Sequence, residues 1–212
     1  MYDIYVNFKK DVHKMELCRL ADIIQGNIPT RIEVSSGQAI ETITMQELNY
    51  VANVSDDLPI EKYLTVQSDK IAAYSLTREY DVVVGLSSGK AIVIEQSRAG
   101  KLILSNLAII RINNIDVLDP FFLCWYINNN KAALKELKKL KQATAAVSVI
   151  PLNMLKSFDI VLLPIEKQRL IGKTNELKRK RDRLMRIIET KKSDVLAQQL
   201  VKACEKEAKQ WQ

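Results

Sequence analysis

The last forty residues, Lys173 to Gln212, contain neither glycine nor proline. Strong helix formers dominate there, Glu, Lys, Arg, Leu, Ala and Gln, so nothing in the segment breaks a helix. Leu170, Leu177 and Leu184 stand seven residues apart, as do Ile188 and Val195, with Thr174 and Arg181 in the alternate positions. A seven-residue apolar repeat of this kind is a coiled-coil stripe, here with two polar interruptions. Pro164 suits the first helical position, and Glu166 puts a favourable negative charge in the first turn. A continuous helix over residues 165–209 would be about 68 Å long at 1.5 Å per residue. A rod of that length cannot bury its stripe on a compact domain. It needs a second helix, from another chain or from elsewhere in this one.

Charge marks the same boundary. Residues 1–164 hold 18 Lys and Arg against 18 Asp and Glu, whereas residues 165–212 hold 14 against 7, so the whole formal excess of +7 lies in the C-terminal quarter. The expected organisation is therefore a domain over 1–164 and a basic helical arm over 165–212; such an arm points to a polyanion or an acidic partner surface, or else is a solvated helix face with more lysine than glutamate. A chain of 212 residues can bury a real core. No apolar run approaches the roughly 18 residues of a membrane span. The N-terminus, MYDIYVNFKKDVHK, lacks a basic head followed by an apolar stretch, so a cytoplasmic protein with no membrane partner is expected. Cys18, Cys124 and Cys204 are odd in number and far apart, which argues against a disulfide framework.

Several catalytic classes lose their support. His13 is the single histidine and sits in a charged stretch with no nucleophile motif nearby, so a solvated surface role is expected of it. Three scattered cysteines and one histidine have no metal-ligand spacing, and no metal is expected. Residues 85–90, GLSSGK, look at first like a phosphate-binding loop. Only three residues separate Gly85 from Gly89, however, Ala91 follows Lys90 where a hydroxyl is needed, and β-rich Ala91–Ile94 comes next where a helix should open. Two β-branched runs about a Ser/Gly tip are a hairpin. Asp119-Pro120-Phe121-Phe122 resembles the loop with which amino-group DNA methyltransferases grip their target. The second proline is absent, there is no glycine-rich cofactor loop, and a helix cap at Asp119 with Pro120 behind it explains the pair.

The region before the long helix reads as an α+β domain of mixed short strands. Strands are expected at 64–67, 81–84, 91–95, 101–104 and 108–112, with Gly26, Pro29 and the Ser35-Ser36-Gly37 cluster as early punctuation. One helix of moderate length is expected from Asp119 through FFLCWYINNNKAALKELKKLK. A loop, a helical turn LNMLKS and a buried strand over 158–163 follow. There is no internal repeat.

Three stretches carry a resemblance to a known family. Residues 20–31, LADIIQGNIPTR, resemble the opening motif of specificity subunits of Type I restriction-modification enzymes, a Leu-x-Asp-Ile stretch leading to Gly-x-x-Pro-Ser/Thr-Arg. Residues 81–112, DVVVGLSSGKAIVIEQSRAGKLILSNLAIIRI, resemble that family's central hairpin region. VIPLNMLKSFDIVLLPIEKQRLIG is similar to its closing motif, in which a short helix and strand end in Leu-Pro before Glu-x-Gln and a long helix.

The resemblance implies a target recognition domain that reads a DNA half-site, followed by a spacer helix that pairs with another and docks methyltransferase subunits. It implies a subunit with no chemistry of its own and no cofactor. Expected partners are double-stranded DNA and the methyltransferase subunit, with the restriction subunit as a further one. A standard subunit carries two recognition domains and two spacer helices in tandem, whereas this chain has room for one of each. A half-size subunit that homodimerises through residues 165–209, or pairs with another half, is therefore expected. The alternatives are a truncated or recombination-cassette fragment and a coiled-coil adaptor whose head binds protein. One further departure is Gln142–Ala146, where family members often carry a Gly-Ser/Thr element.

Within this frame the expected DNA contacts are Thr30 and Arg31, the hairpin tip Ser87, Ser88, Gly89 and Lys90, and the run Arg98, Lys101, Ser105 and Asn106. Hydroxyls and glycine N–H groups suit phosphate oxygens. Arg31, Arg98 and Asn106 suit guanine or adenine edges. The expected pairing stripe is Leu170, Leu177, Leu184, Ile188 and Val195. The Lys178–Arg181 cluster would face DNA or an acidic surface of the methyltransferase subunit.

Overall fold

Runs of β-branched residues alternate with turn-forming ones before the long helix, and short strands result. The computed structural model describes residues 13–142 and 149–210. In chain order its elements are β1 (His13–Glu16), β2 (Ala21–Gln25), α1 (Pro29–Ile32), β3 (Glu33–Ile43), α2 (Met45–Val51), β4 (Lys62–Val66), β5 (Val82–Gly85), β6 (Ala91–Val93), β7 (Leu102–Ile103), β8 (Leu107–Ile112), α3 (Pro120–Asn129), α4 (Lys131–Gln142), α5 (Leu152–Lys156), β9 (Asp159–Leu162) and α6 (Ile165–Gln210). This is the expected α+β architecture with a long C-terminal helix. Two compact units divide it, one up to Lys173 and the other from Thr174 onward. None of the described helices is long and apolar enough to cross a membrane.

A four-stranded antiparallel sheet in the order β2-β8-β5-β6 forms the centre of the first unit. Its inner strands β5 and β8 carry runs without a polar face, Val82-Val83-Val84 and Leu107–Ile110, and the structure gives the reason. Val82, Val84, Ala108 and Ile110 point into one core with Phe122 and Ile127 of α3, Leu137 of α4, and Phe158. Val83, Ile92 and Ile109 point into a second with Ile43, Leu48 of α2, and Ile103. Alternate side chains thus enter opposite cores, and a strand covered on both sides has no use for a polar face. Beside it lies the sheet β4-β3-β7, antiparallel between β3 and β4 and parallel between β3 and β7, while β1 pairs antiparallel with β9.

The expected β-runs appear as β4 to β9 within a residue or two. Other expectations need correction. The single moderate helix is two, because Asn130 is extended and its Oδ1 accepts from the amides of Ala132 and Ala133, capping α4. The Ser35-Ser36-Gly37 cluster is no break. It lies inside the eleven-residue β3 as an irregularity between Glu33 and Gln38, both of which pair with Val66. Helix α2 was not expected at all, although Thr44-Met45-Gln46-Glu47 is a capping box and Thr44 Oγ1 accepts from the Glu47 amide. Asp119 caps α3 as expected, its Oδ1 accepting from the Phe122 amide at 2.8 Å. His13 is exposed on β1, and none of Cys18, Cys124 and Cys204 is in a disulfide. The Gln142–Ala146 departure lies, beyond Gln142, outside the described residues.

The first turns of α6 are anchored in the first unit. Gln168 is fully buried. Its Nε2 donates to the carbonyls of Val117 (3.0 Å) and Leu163 (2.7 Å), and its Oε1 accepts from the amide of Asp119 (3.1 Å). One turn on, Gly172 lies so close to α3 that a Cβ would meet the Phe122 nitrogen at 2.7 Å and Asp119 Oδ1 at 2.8 Å. In the second unit the helix continues unbroken. Leu177, Leu184, Ile188 and Val195 are all about half exposed, as are Leu196 and Leu200.

Candidate nucleic-acid interface

Strand register sets the geometry. Gln25 pairs with Ala108, Gly85 with Leu107 and Val84 with Ala91, so β2 and β5 end where β8 and β6 begin. Three connections therefore open at one end of the central sheet: Gly26 to α1, Leu86 to Lys90, and Leu104 to Asn106. Backbone hydrogen bonds tie them together. Gly26 N donates to Leu107 O (3.1 Å), Asn27 N to Ile103 O (2.9 Å), Ser105 N to Asn27 O (2.9 Å) and Leu86 N to Asn106 O (3.0 Å). Gly26 is required by this approach, because a Cβ there would fall 2.0 Å from the Leu104 carbonyl oxygen. The Asn27 side chain adds a further tie, its Oδ1 accepting from Ser75 N.

Eight of the ten expected DNA contacts lie on these three connections. Thr30 and Arg31 are exposed on α1, a single turn that begins at Pro29. Ser87 is exposed at the hairpin tip, Ser88 and Lys90 are half-buried beside it, and Asn106 is exposed next to half-buried Ser105. Gly89 is buried and has φ of +68°, so at that position glycine is set by the turn itself. The β5–β6 turn leads straight into a strand, with no helix behind it to hold a nucleotide phosphate.

Arg98 and Lys101 stand apart from this group. Arg98 Nε donates to Glu47 Oε1 at 2.9 Å, and its guanidinium also lies 3.6 Å from Glu95. Lys101 is paired with Glu41 and lies 3.4 Å from the same Glu47 oxygen. Glu47 is itself buried, so these two cations neutralise an internal carboxylate, and withdrawing either would leave charge in the interior. Arg111 and Asp81 form a second internal pair, bidentate at 2.9 and 2.7 Å, with Asp81 also accepting from the Arg78 amide. That pair ties β8 to the residue ahead of β5.

Sequence reasoning missed the lysines of α4. KAALKELKKLKQ holds five lysines and one glutamate, a local basic excess within a domain whose charges balance only as a whole. Lys141 Nζ donates to the Ser87 carbonyl at 2.6 Å, joining the helix to the hairpin tip. Density of lysine at helical spacing was the available signal. Gln168 and Gly172 fall within the closing motif VIPLNMLKSFDIVLLPIEKQRLIG, which by itself assigns them no role.

No protein-family model and no curated protein matches the sequence. Among solved structures, the chain is similar to the HsdS subunit from Thermoanaerobacter tengcongensis at 17% identity and a TM-score of 0.55, covering 86% of this chain and 40% of that one. It is also similar to a chain in the structure described as "Structural basis underlying complex assembly and conformational transition of the type I R-M system", at 15% identity and a TM-score of 0.60, covering 83% of this chain and 44% of that one. The chain thus spans less than half the length of either. At such identities what the likeness establishes is architecture, and the chain has the S-subunit fold of Type I restriction-modification systems.

Proposed function

We propose that this chain is the DNA-reading, non-catalytic component of a Type I restriction-modification complex, acting in the cytoplasm. The observation that carries this is the gathering of three connections, two of them hydrogen-bonded to the third, with Thr30, Arg31, Ser87, Ser88, Lys90, Ser105 and Asn106, at one end of the central sheet in a chain of S-subunit fold. Backbone amides and hydroxyls at the hairpin tip position the duplex through phosphates, while Arg31 and Asn106 read base edges. Arg98 and Lys101 act behind them by holding the scaffold together. The domain over 1–164 reads one half-site, and the arm over 165–212 supplies the spacer.

Spacing of two half-sites requires a second rod. The half-exposed apolar stripe at Leu177, Leu184, Ile188 and Val195 supports pairing with a second copy, which would give two recognition domains by two-fold symmetry. Methyltransferase subunits dock on the paired helices, with the restriction subunit as a further partner and Lys178–Arg181 facing an acidic surface or passing DNA. Sequencing of methylated bases in cells carrying the chain with its methyltransferase subunit tests the whole reading. A two-part motif that disappears on deletion of the chain is expected, and methylation unchanged by that deletion refutes it.

A further inference from the structure

The β5–β6 turn and α4 border a groove of about 120 Å³, lined by Ser88, Gly89, Lys90, Leu134, Leu137, Lys138 and Lys141. Helical spacing puts Leu134, Lys138 and Lys141 on one side of α4, while Ala133 and Leu137 enter the core. The Lys141 ammonium lies over the turn: besides its bond to Ser87 O, a Cβ at Gly89 would sit 3.1 Å from both its Cε and its Nζ. Burial first, and the charge of Lys90 second, hold this ammonium below the ordinary lysine range. The one carboxylate of α4, Glu136, exerts its field on Lys14 and Tyr126, on β1 and α3.

Burial and a neighbouring like charge disfavour the ionised form of Lys141, and an anion placed beside its ammonium favours that form. Size narrows the choice of anion. Pockets that take whole small molecules measure roughly 300–1,000 Å³, so this one suits a single anionic group. We propose that the groove is a phosphate clamp in which Lys90, Lys138 and Lys141 hold one backbone phosphate of a bound duplex against the hairpin tip. The clamp rests on the DNA-recognition reading and adds residues of α4 to it. A phosphate contact positions the protein and strengthens binding to every sequence alike.

The test uses the full chain and a fluorescein-labelled duplex of mixed sequence, with affinity measured by anisotropy across a salt series. The double substitution Lys138→Gln/Lys141→Gln keeps hydrogen-bond donors and removes charge from the groove. Lys135→Gln/Lys139→Gln removes the same charge from exposed positions that do not line it. Loss of one phosphate contact lowers the slope of log affinity against log salt by about 0.9. That change is expected for the groove variant, with a smaller one for the control. Equal slopes for wild type and the groove variant, or equal changes in both variants, overturn the clamp while leaving DNA recognition intact. If wild type binds no duplex, DNA recognition by the isolated chain and the clamp fall together. Inorganic phosphate that raises the melting temperature of wild type but not of the groove variant would then mark an anion site unrelated to DNA.

Discussion

Replacing Gln168 by leucine tests what fastens the long helix to the domain. The side chain has no exposed surface and makes three hydrogen bonds of 2.7 to 3.1 Å, two to carbonyls and one from an amide. Leucine fills a similar volume but serves none of these groups. Each bond is worth about 1 kcal/mol net, and a buried backbone group left unserved costs about 1–3 kcal/mol. After an allowance for the added apolar burial, Gln168→Leu should destabilise the first unit by about 3–5 kcal/mol. With a urea slope of about 1–3 kcal/mol per M, the unfolding midpoint falls by at least about 1 M. Urea titration of the full chain followed by far-ultraviolet circular dichroism reads this directly. Gln168→Glu adds a pH signature. A carboxylate cannot donate to the two carbonyls, so burial beside them raises its folded pKa above the unfolded value, and stability present below the unfolded pKa is lost as pH rises through the folded one. That variant should therefore approach wild type near pH 4 and fall away by pH 7. A midpoint for Gln168→Leu within about 0.3 M of wild type would show that the three bonds do not anchor the helix.

Other consequences are open to simpler measurements. Arg31→Ala should weaken duplex binding by the assembled complex and lower its salt slope by about one unit if Arg31 meets a phosphate, or relax base choice at one position if it meets a base; an unchanged slope and motif remove it from the interface. Asp119→Ala deletes the α3 cap and should cost about 1 kcal/mol in thermal unfolding. Leu184→Glu puts charge on the stripe, and light scattering at micromolar concentration should show a smaller species than wild type. A wild type already monomeric at that concentration contradicts homodimerisation.

Much of the domain was legible because its signals are local. β-branched runs gave β4 to β9, and the Asp119-Pro120 pair gave the start of α3. The break at Asn130 was missed because Asn128 to Asn130 read equally well as a poor helical stretch and as a cap, and the choice falls to what α3 and α4 must cover. Ser35-Ser36-Gly37 reads as punctuation in the sequence because a strand irregularity and a turn use the same residues. Of the expected contacts, the eight on three connections gather through strand register, which brings residues from 26 to 107 to one end of the central sheet. Arg98 and Lys101 are indistinguishable in the sequence from free basic residues, since the carboxylates of Glu47 and Glu41 that answer them lie 51 to 60 residues away in the chain.

The sequence by itself determined the long helix, its apolar repeat and the hairpin at residues 81–95, because propensity, periodicity and turn chemistry act within a few residues of their cause. Only the tertiary structure decided which cations are answered inside the domain and which face outward. It also decided that α4 lays its lysines beside the hairpin tip and that Gln168 fastens the helix to the head. Those outcomes depend on close approaches between residues tens of positions apart, and a hydrogen bond or an ammonium charge is felt over ångströms, not along the chain.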